Sequence, residues 1–238
     1  MTFVFPYYLI IDLFVFLGPL FISIVGPVKF LKKYKSFIPA IITVAVPYII
    51  WDMLATGKDW YFNPKYVLPV RIIDLPVEEI MFFFVVPFAI LFVYEYVKLY
   101  VPARNFSINR IRSFELLLFI IIFILAIFFL KYQYLTLALI SVLVFLLIDL
   151  ISGSFLFSDR NYWIYMGFGV VSFVIVNYLL TSIPVVEYYT NTILTTNYWN
   201  GRITTIPIED FIYNFSLLSF YLFFYKMYSS KIKGKNKQ

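Results

Sequence analysis

The sequence predicts an all-α integral membrane protein whose seven transmembrane helices form two parallel, tandem three-helix repeats joined by a linker helix. Composition is the first observation: 63% of the 238 residues are hydrophobic, 13% are charged, and the mean hydropathy is +0.89, unlike a soluble domain. The second is a set of seven apolar stretches, each long enough to cross a bilayer as a helix. The third is an acidic motif that occurs once in each half of the chain.

The seven predicted spans follow one another along the whole chain. The first contains Asp12 and lacks a separate basic segment or a cleavage site, which predicts a retained helix and not a removed signal peptide. Pro19, Pro47 and Pro87 fall inside spans, where they predict kinks. The predicted spans cover roughly residues 3–28, 37–55, 76–100, 113–131, 134–157, 162–183 and 207–228.

The repeated motif reads Arg-Ile-x-x-Leu/Ile-Pro-Val/Ile-Glu-Glu/Asp, and its two copies lie 131 residues apart. Proline and acids both suit the first turn of a helix, so a well-capped helix end explains part of the motif. A cap does not explain why two adjacent acids recur with an upstream arginine and downstream aromatic residues. Ionisable groups inside a membrane span are costly and usually functional. The conspicuous members are Arg71, Glu78, Glu79, Phe82 and Phe83 in the first copy, and Arg202, Glu209, Asp210 and Phe211 in the second.

The distribution of basic residues predicts the orientation. Loops on one side of the predicted spans carry fourteen lysines and arginines, and those on the other side carry five, which places the first side in the cytoplasm and the N-terminus outside. Both motifs then begin a helix from the outer side, so the predicted duplication is parallel. The predicted units are a first repeat of helices one to three, a linker helix four, a second repeat of helices five to seven and a basic cytoplasmic tail, at residues 1–112, 113–131, 132–228 and 229–238.

The absence of two residue types narrows the chemistry. The chain has no cysteine and no histidine, which excludes disulfides, thiolate catalysis and the usual metal ligands. No glycine-rich phosphate-binding motif is present, so neither a cofactor nor a metal is expected. The net charge of +6 fits anionic lipid headgroups, and no nucleic-acid partner is expected. Acid–base chemistry must therefore use Asp, Glu, Tyr or Lys.

The four motif acids, Glu78, Glu79, Glu209 and Asp210, are the predicted catalytic residues. Burial favours a neutral carboxyl group, whereas a helix N-terminus and an arginine favour an ionised one. One acid of a pair is therefore expected to stay ionised beside its arginine while the other holds a proton. Further candidates, for which a structural role is an equal alternative, are Asp52, Asp74, Asp149 and Glu187. The Ile-Asp-Leu triplets around Asp12 and Asp149 are interpreted as a chance match, and an interfacial aromatic belt is predicted at Trp60, Tyr61, Tyr198 and Trp199.

The motifs resemble those of the small membrane lycopene cyclases of archaea, actinobacteria and fungi, which occur as heterodimers or as one fused chain. Leu-Pro-Val-Glu-Glu-Ile-x-Phe-Phe and Ile-Pro-Ile-Glu-Asp-Phe look like the signatures of the two halves of that family. Pro47, Trp51, Asp52, Trp60 and Tyr61 also fit its first half. The resemblance implies lycopene as substrate, a carotenoid with β-ionone ends as product, and a fused two-half enzyme in the membrane. Implied supporting residues are Arg71, Arg202, Asp52, Trp51, Phe82, Phe83 and Phe211.

The reaction implied by the resemblance is a non-redox isomerisation, in which an acid protonates the terminal alkene and a base removes a proton from the new ring. A carotenoid hydratase or another polyene-modifying enzyme would use similar acids and admit water. A small seven-helix transporter would share the parallel repeats, although transporter sites favour the bilayer midplane. A retinal-type receptor is disfavoured because Lys226 lies at the end of the last span. The motifs alone do not distinguish the proton donor from the base.

Overall fold

The computed structural model describes residues 5–190 and 192–235 and contains seven α-helices in that part of the chain. Each predicted span corresponds to one helix, so the all-α prediction is confirmed. α4 begins within the predicted first repeat, and α7 continues through residues 229–235 of the predicted tail. The helices are α1 (Tyr7–Val25), α2 (Tyr34–Ala55), α3 (Val77–Tyr100), α4 (Ile108–Phe128), α5 (Gln133–Ser152), α6 (Arg160–Ser182) and α7 (Ile208–Lys235).

Membrane-spanning character is clear in six of these helices. α1 to α6 are each long and apolar enough to cross a bilayer, which makes the chain a multi-pass membrane protein. α7 is longer but more polar, and it packs against α2, α5 and α6 in the centre of the bundle. Its hydroxyl groups are satisfied there: Ser216 bonds to Tyr48 at 2.9 Å, and Ser219 bonds to Tyr162 at 2.9 Å. A central helix meets protein on most sides, so it tolerates polar residues that lipid would not.

Short strands, which the sequence analysis did not predict, connect the helices at one end of the bundle. β1 (Trp60–Phe62) pairs antiparallel with β4 (Val186–Tyr188), which joins the loop after α2 to the loop after α6. Each acidic motif forms a two-stranded hairpin immediately before a helix. The hairpins are β2 (Arg71–Ile72) with β3 (Leu75–Pro76), and β5 (Arg202–Ile203) with β6 (Ile206–Pro207).

Ion pairs connect the helix ends at the opposite face. Glu95 near the end of α3 pairs with Lys33, which precedes α2, and with Lys98 at 2.9 Å. Lys226 near the end of α7 pairs with Asp159 before α6 at 3.2 Å. Three of the lysines that the sequence assigned to one side, Lys33, Lys98 and Lys226, therefore lie at one face, while both acidic motifs lie at the other.

Candidate active site

The two motif copies fold into the same hairpin. Arg71 lies opposite Pro76, and Arg202 lies opposite Pro207. In both copies the guanidinium group donates to a main-chain carbonyl oxygen across the turn at 2.7 Å. Among the residues described, neither arginine forms an ion pair with a motif acid, so the predicted arginine–acid pairing is not present. The arginines hold the hairpins that lead into α3 and α7.

Each hairpin turn carries backbone strain at the same position. Ile73 and Thr204 adopt φ values of 57° and 59°, a region in which β-branched residues are rare. The left-handed conformation costs an L-residue roughly 1–2 kcal/mol. The repeated strain shows that the turn geometry is shared by both motif copies.

We predict that Ile73→Gly raises the stability of the protein in detergent by on the order of 0.5–1 kcal/mol, because glycine adopts positive φ without a steric penalty. Ile73 is 73% exposed and loses little packing. The thermal unfolding midpoint is the measurement. Ile72→Gly is the matched control and should not stabilise, because Ile72 lies in an extended strand. A midpoint for Ile73→Gly below that of the wild type would contradict this account.

The first acid of each motif holds the preceding loop. Glu78 accepts a hydrogen bond from the Leu68 N–H at 2.6 Å, and Glu209 accepts one from the Leu194 N–H at 2.5 Å. Both glutamates are completely buried, and neither lines the large cavity described next. Their shared contact is with main chain, so their position is that of a structural anchor at the start of the helix.

The second acid of each motif faces a common cavity. Glu79 and Asp210 both line a space of about 670 Å³ between α1, α3, α6 and α7, within the range of roughly 300–1,000 Å³ usual for small-molecule sites. Its wall is mainly apolar and includes α3 residues from Glu79 to Val93, a length of about 21 Å along the helix. The cavity is thus long and apolar, with acids at one end.

Glu79 contacts a second carboxyl group. Its side chain lies close enough to Asp52 of α2 to interact with it, and Asp52 and Trp60 line the same cavity. Tyr8 of α1 donates a hydrogen bond to one Glu79 carboxylate oxygen. Within the described ranges, no lysine or arginine pairs with either acid. Two neighbouring carboxyl groups disfavour double ionisation where no cation lies between them, so this pair is suited to hold one proton between its two members.

Asp210 has different surroundings. Tyr134 donates to one carboxylate oxygen at 2.6 Å, and Tyr188 and Asn177 donate to the other at 2.7 and 2.6 Å. Three donors favour an ionised carboxylate. Burial and the adjacent Asp210 raise the pKa of Tyr188 well above its ordinary value, so this phenol remains a donor. The ring of Tyr188 also lies 5.5 Å from the Arg202 guanidinium.

The sequence profile of the lycopene cyclase family matches residues 6–97 and 131–228. The chain belongs to the lycopene cyclase family. Each matched segment contains one hairpin and one acid pair, and the cavity-lining acids Asp52, Glu79 and Asp210 all fall within the two segments. No match was found among curated proteins or among solved structures. Family membership makes this protein a membrane enzyme of carotenoid cyclisation.

The predicted supporting residues of the cyclase have different positions. Phe82 lines the cavity, but Phe83, Phe211 and Trp51 do not. Phe211 packs against Phe173, with ring centroids 5.0 Å apart. Trp51 packs behind the acids, where its ring lies 5.0 Å from that of Tyr213. Of the predicted aromatic residues, only Phe82 therefore reaches the cavity, and Phe83, Phe211 and Trp51 pack outside it.

Other candidate acids lie outside the cavity of the cyclase. Asp74 is exposed in the first hairpin turn, and Glu187 in β4 accepts from Asn63 at 3.3 Å. Asp149 lies near the far end of α5 and accepts from the Leu156 N–H at 2.9 Å, whereas Asp12 lies near the start of α1. The Ile-Asp-Leu triplets therefore lie at opposite ends of their helices. In the described part of the chain, no three acids converge to hold a metal ion.

Several residues of the site were missed or misplaced by the sequence analysis. The assignment of Trp60 to an interfacial belt is wrong, because it is 6% exposed, lines the cavity and lies 5.1 Å from the Tyr134 ring. The sequence did not identify four further residues of the site: Tyr8, Tyr134, Asn177 and Tyr188. One signal was available: a Tyr-Leu pair begins the first helix of each half, at Tyr8 and Tyr134. Tyr188 reaches the site because β4 pairs with β1, and no repeated sequence pattern marks that pairing.

Proposed function

We propose that this cyclase converts the ψ-end groups of lycopene into β-ionone rings by acid catalysis without a redox cofactor. The observation that carries the proposal is the chemical difference between two acids in one apolar cavity. Glu79 lies beside a second carboxyl group, that of Asp52, whereas Asp210 accepts three hydrogen bonds from neutral donors. Two carboxyl groups with opposed environments provide an acid and a base at the same pH.

The proton donor is assigned to the Asp52–Glu79 pair. Glu79 delivers the shared proton to the terminal double bond of the polyene, which leaves a tertiary carbocation. The next suitable double bond attacks this cation and closes the six-membered ring, and the positive charge moves into the ring. Asp210 then accepts a ring proton, which forms the new double bond. Proton return from Asp210 to Glu79 completes an isomerisation in which no atom or electron is gained.

The cavity wall supports the cationic steps. Trp60, Tyr134, Tyr213 and Phe82 place aromatic rings beside the acids, and ring faces attract positive charge. The Asp210 carboxylate adds electrostatic stabilisation in a low-dielectric site. The apolar remainder of the wall excludes water, which would otherwise trap the cation as an alcohol. This supports cyclisation over hydration.

Activity is the first prediction of this proposal. Expression of the chain in a bacterial host that accumulates lycopene should convert the pigment into cyclised carotenoid without an added cofactor. Chromatography and absorption spectra of the extracted pigments are the measurement. A hydroxylated acyclic product would instead identify a hydratase, and a requirement for reduced flavin by the purified protein would contradict the non-redox assignment.

The topology assigned to this activity has seven spans, with α7 as the seventh, and two parallel repeats, α1–α3 and α5–α7, joined by α4. The two matching hairpins at one face support the parallel arrangement. The chain lacks cysteine, so single introduced cysteines give clean labels. Cysteines at Lys35 and Arg104 should react with an impermeant thiol reagent only from the cytoplasm, and those at Lys65 and Lys131 only from outside. Labelling of Lys35 and Lys65 positions from one side would overturn this topology.

A further inference from the structure

The cavity is open along one side, towards the lipid. Ile10 and Phe14 of α1 line it and are 47% and 84% exposed, and Ile175 and Leu179 of α6 line it and are 58% and 38% exposed. A side chain that lines a cavity and is also exposed lies at its rim. The rim is therefore formed by α1 and α6.

The packing of the helices explains the opening. α1 packs against α3, and α6 packs against α3 and α7, but α1 and α6 are not a closely packed pair. Both helices instead present apolar side chains along the gap. Since α1 and α6 cross the membrane, the gap between them faces the hydrocarbon of the bilayer. Helices can border such a gap because their backbone hydrogen bonds are satisfied internally. A polyene is soluble in the same hydrocarbon.

The corresponding cleft of the second half is filled. The offset between the motif copies places Phe220 and Phe224 of α7 where α3 has Ala89 and Val93. Ala89 and Val93 line the open cavity. Phe220 is 7% exposed and lies between Tyr48 of α2 and Phe145 of α5, with ring centroids 6.3 and 5.6 Å away. The space between α2 and α5 is therefore occupied by aromatic rings.

Taken with the proposed function, on which this step rests, we propose that the α1–α6 gap is the portal through which one end of the carotenoid enters from the bilayer. Only this one of the two equivalent clefts accepts an end group. The remainder of the polyene stays among the lipid chains during the reaction. Two rings on one molecule then require two separate binding events, although the chain itself is duplicated.

Narrowing the portal tests the first part. The double variant Ile10→Trp, Ile175→Trp places bulky side chains at exposed rim positions, so folding should be preserved. We expect cyclisation in the lycopene-accumulating host to fall by roughly 10-fold or more at equal protein level, because substrate placement is disturbed. The matched control is Leu17→Trp, Val171→Trp, on the same helices at positions that are 53% and 60% exposed and outside the cavity lining.

The outcomes separate the two proposals. If the wild type and both double variants cyclise equally, the portal is overturned and the proposed function stands. If the wild type forms no cyclised product, the proposed function fails and the portal fails with it. Selective loss in the rim variant supports the portal.

The single cleft is tested by a chase in phosphatidylcholine vesicles containing the purified protein. An excess of deuterium-labelled lycopene is added once unlabelled monocyclic product has formed. We expect the unlabelled monocyclic product to be converted to the bicyclic form more slowly, in proportion to the excess of labelled lycopene. The reason is that the monocyclic product must compete with labelled lycopene for the same cleft. Continued conversion at an unchanged rate would show that both ends are processed without release and would overturn the inference.

Discussion

Glu79→Gln is expected to lower cyclisation by roughly 10²–10⁴-fold, because glutamine keeps the shape of the side chain but cannot deliver a proton to an alkene. Glu79 lines the cavity together with Asp52, the partner with which it is proposed to share a proton. Asp52→Asn should also be severe, since it removes the partner that keeps Glu79 protonated. Product formation per amount of membrane-embedded protein, measured in the lycopene-accumulating host, is the readout.

Glu78→Gln is the matched control for the adjacent position. A glutamine oxygen can still accept the Leu68 N–H that Glu78 binds at 2.6 Å, so activity should remain within a few-fold of the wild type. Equal, severe losses in Glu78→Gln and Glu79→Gln with normal expression would contradict the assignment of the donor to Glu79. Full activity of Glu79→Gln would remove it from the reaction altogether.

Asp210→Asn is expected to give a comparable loss for a different reason. Asparagine cannot accept a proton from the ring. Its NH₂ group would also face the hydrogen-bond donors of Tyr134, Tyr188 and Asn177, which now bind the Asp210 carboxylate. An unsatisfied buried polar contact also costs roughly 1–3 kcal/mol. Accumulation of acyclic substrate with protein still present in the membrane is the expected observation.

Variants that remove one hydrogen-bond donor to Asp210 at a time should have activities between those of the wild type and Asp210→Asn. Tyr188→Phe and Tyr134→Phe each leave two hydrogen bonds to Asp210, so their effects should lie between those of the wild type and Asp210→Asn. Glu209→Gln is the positional control, because Glu209 contacts the Leu194 main chain and not the cavity. If both tyrosine variants equalled Asp210→Asn, the tyrosines themselves would be reacting groups and the assignment of Asp210 as base would fail.

The two motif arginines bind main-chain carbonyl oxygens, whereas the sequence predicted that they pair with the acids. Arg71→Gln and Arg202→Gln remove hydrogen bonds across the hairpin turns and not an ion pair with a carboxylate. Their effects should therefore be weaker than those of the cavity acids. Each motif copy combines two features in one short segment: a hairpin before the helix and an acid that lines the cavity.

The sequence determined the membrane class, the seven helices and the importance of the repeated motif. Long apolar stretches in lipid must satisfy their backbone hydrogen bonds internally, which leaves helices as the only structure for them. A repeated acidic pair in such segments indicated function because buried charge is costly. Length and composition located each helix, although α4 starts five residues earlier than predicted and α7 continues beyond its predicted end at residue 228.

Only the tertiary structure decided which acid of each pair reaches the cavity. Glu78 and Glu79 are adjacent, and neighbouring side chains on a helix point about 100° apart around the axis, so the packing of α3 decides which one turns inward. The protonation partners come from distant segments: Asp52 from α2 for Glu79, and Tyr134 and Tyr188 from α5 and β4 for Asp210. Sequence separation does not determine such contacts, because they form when helices and loops from both halves pack together.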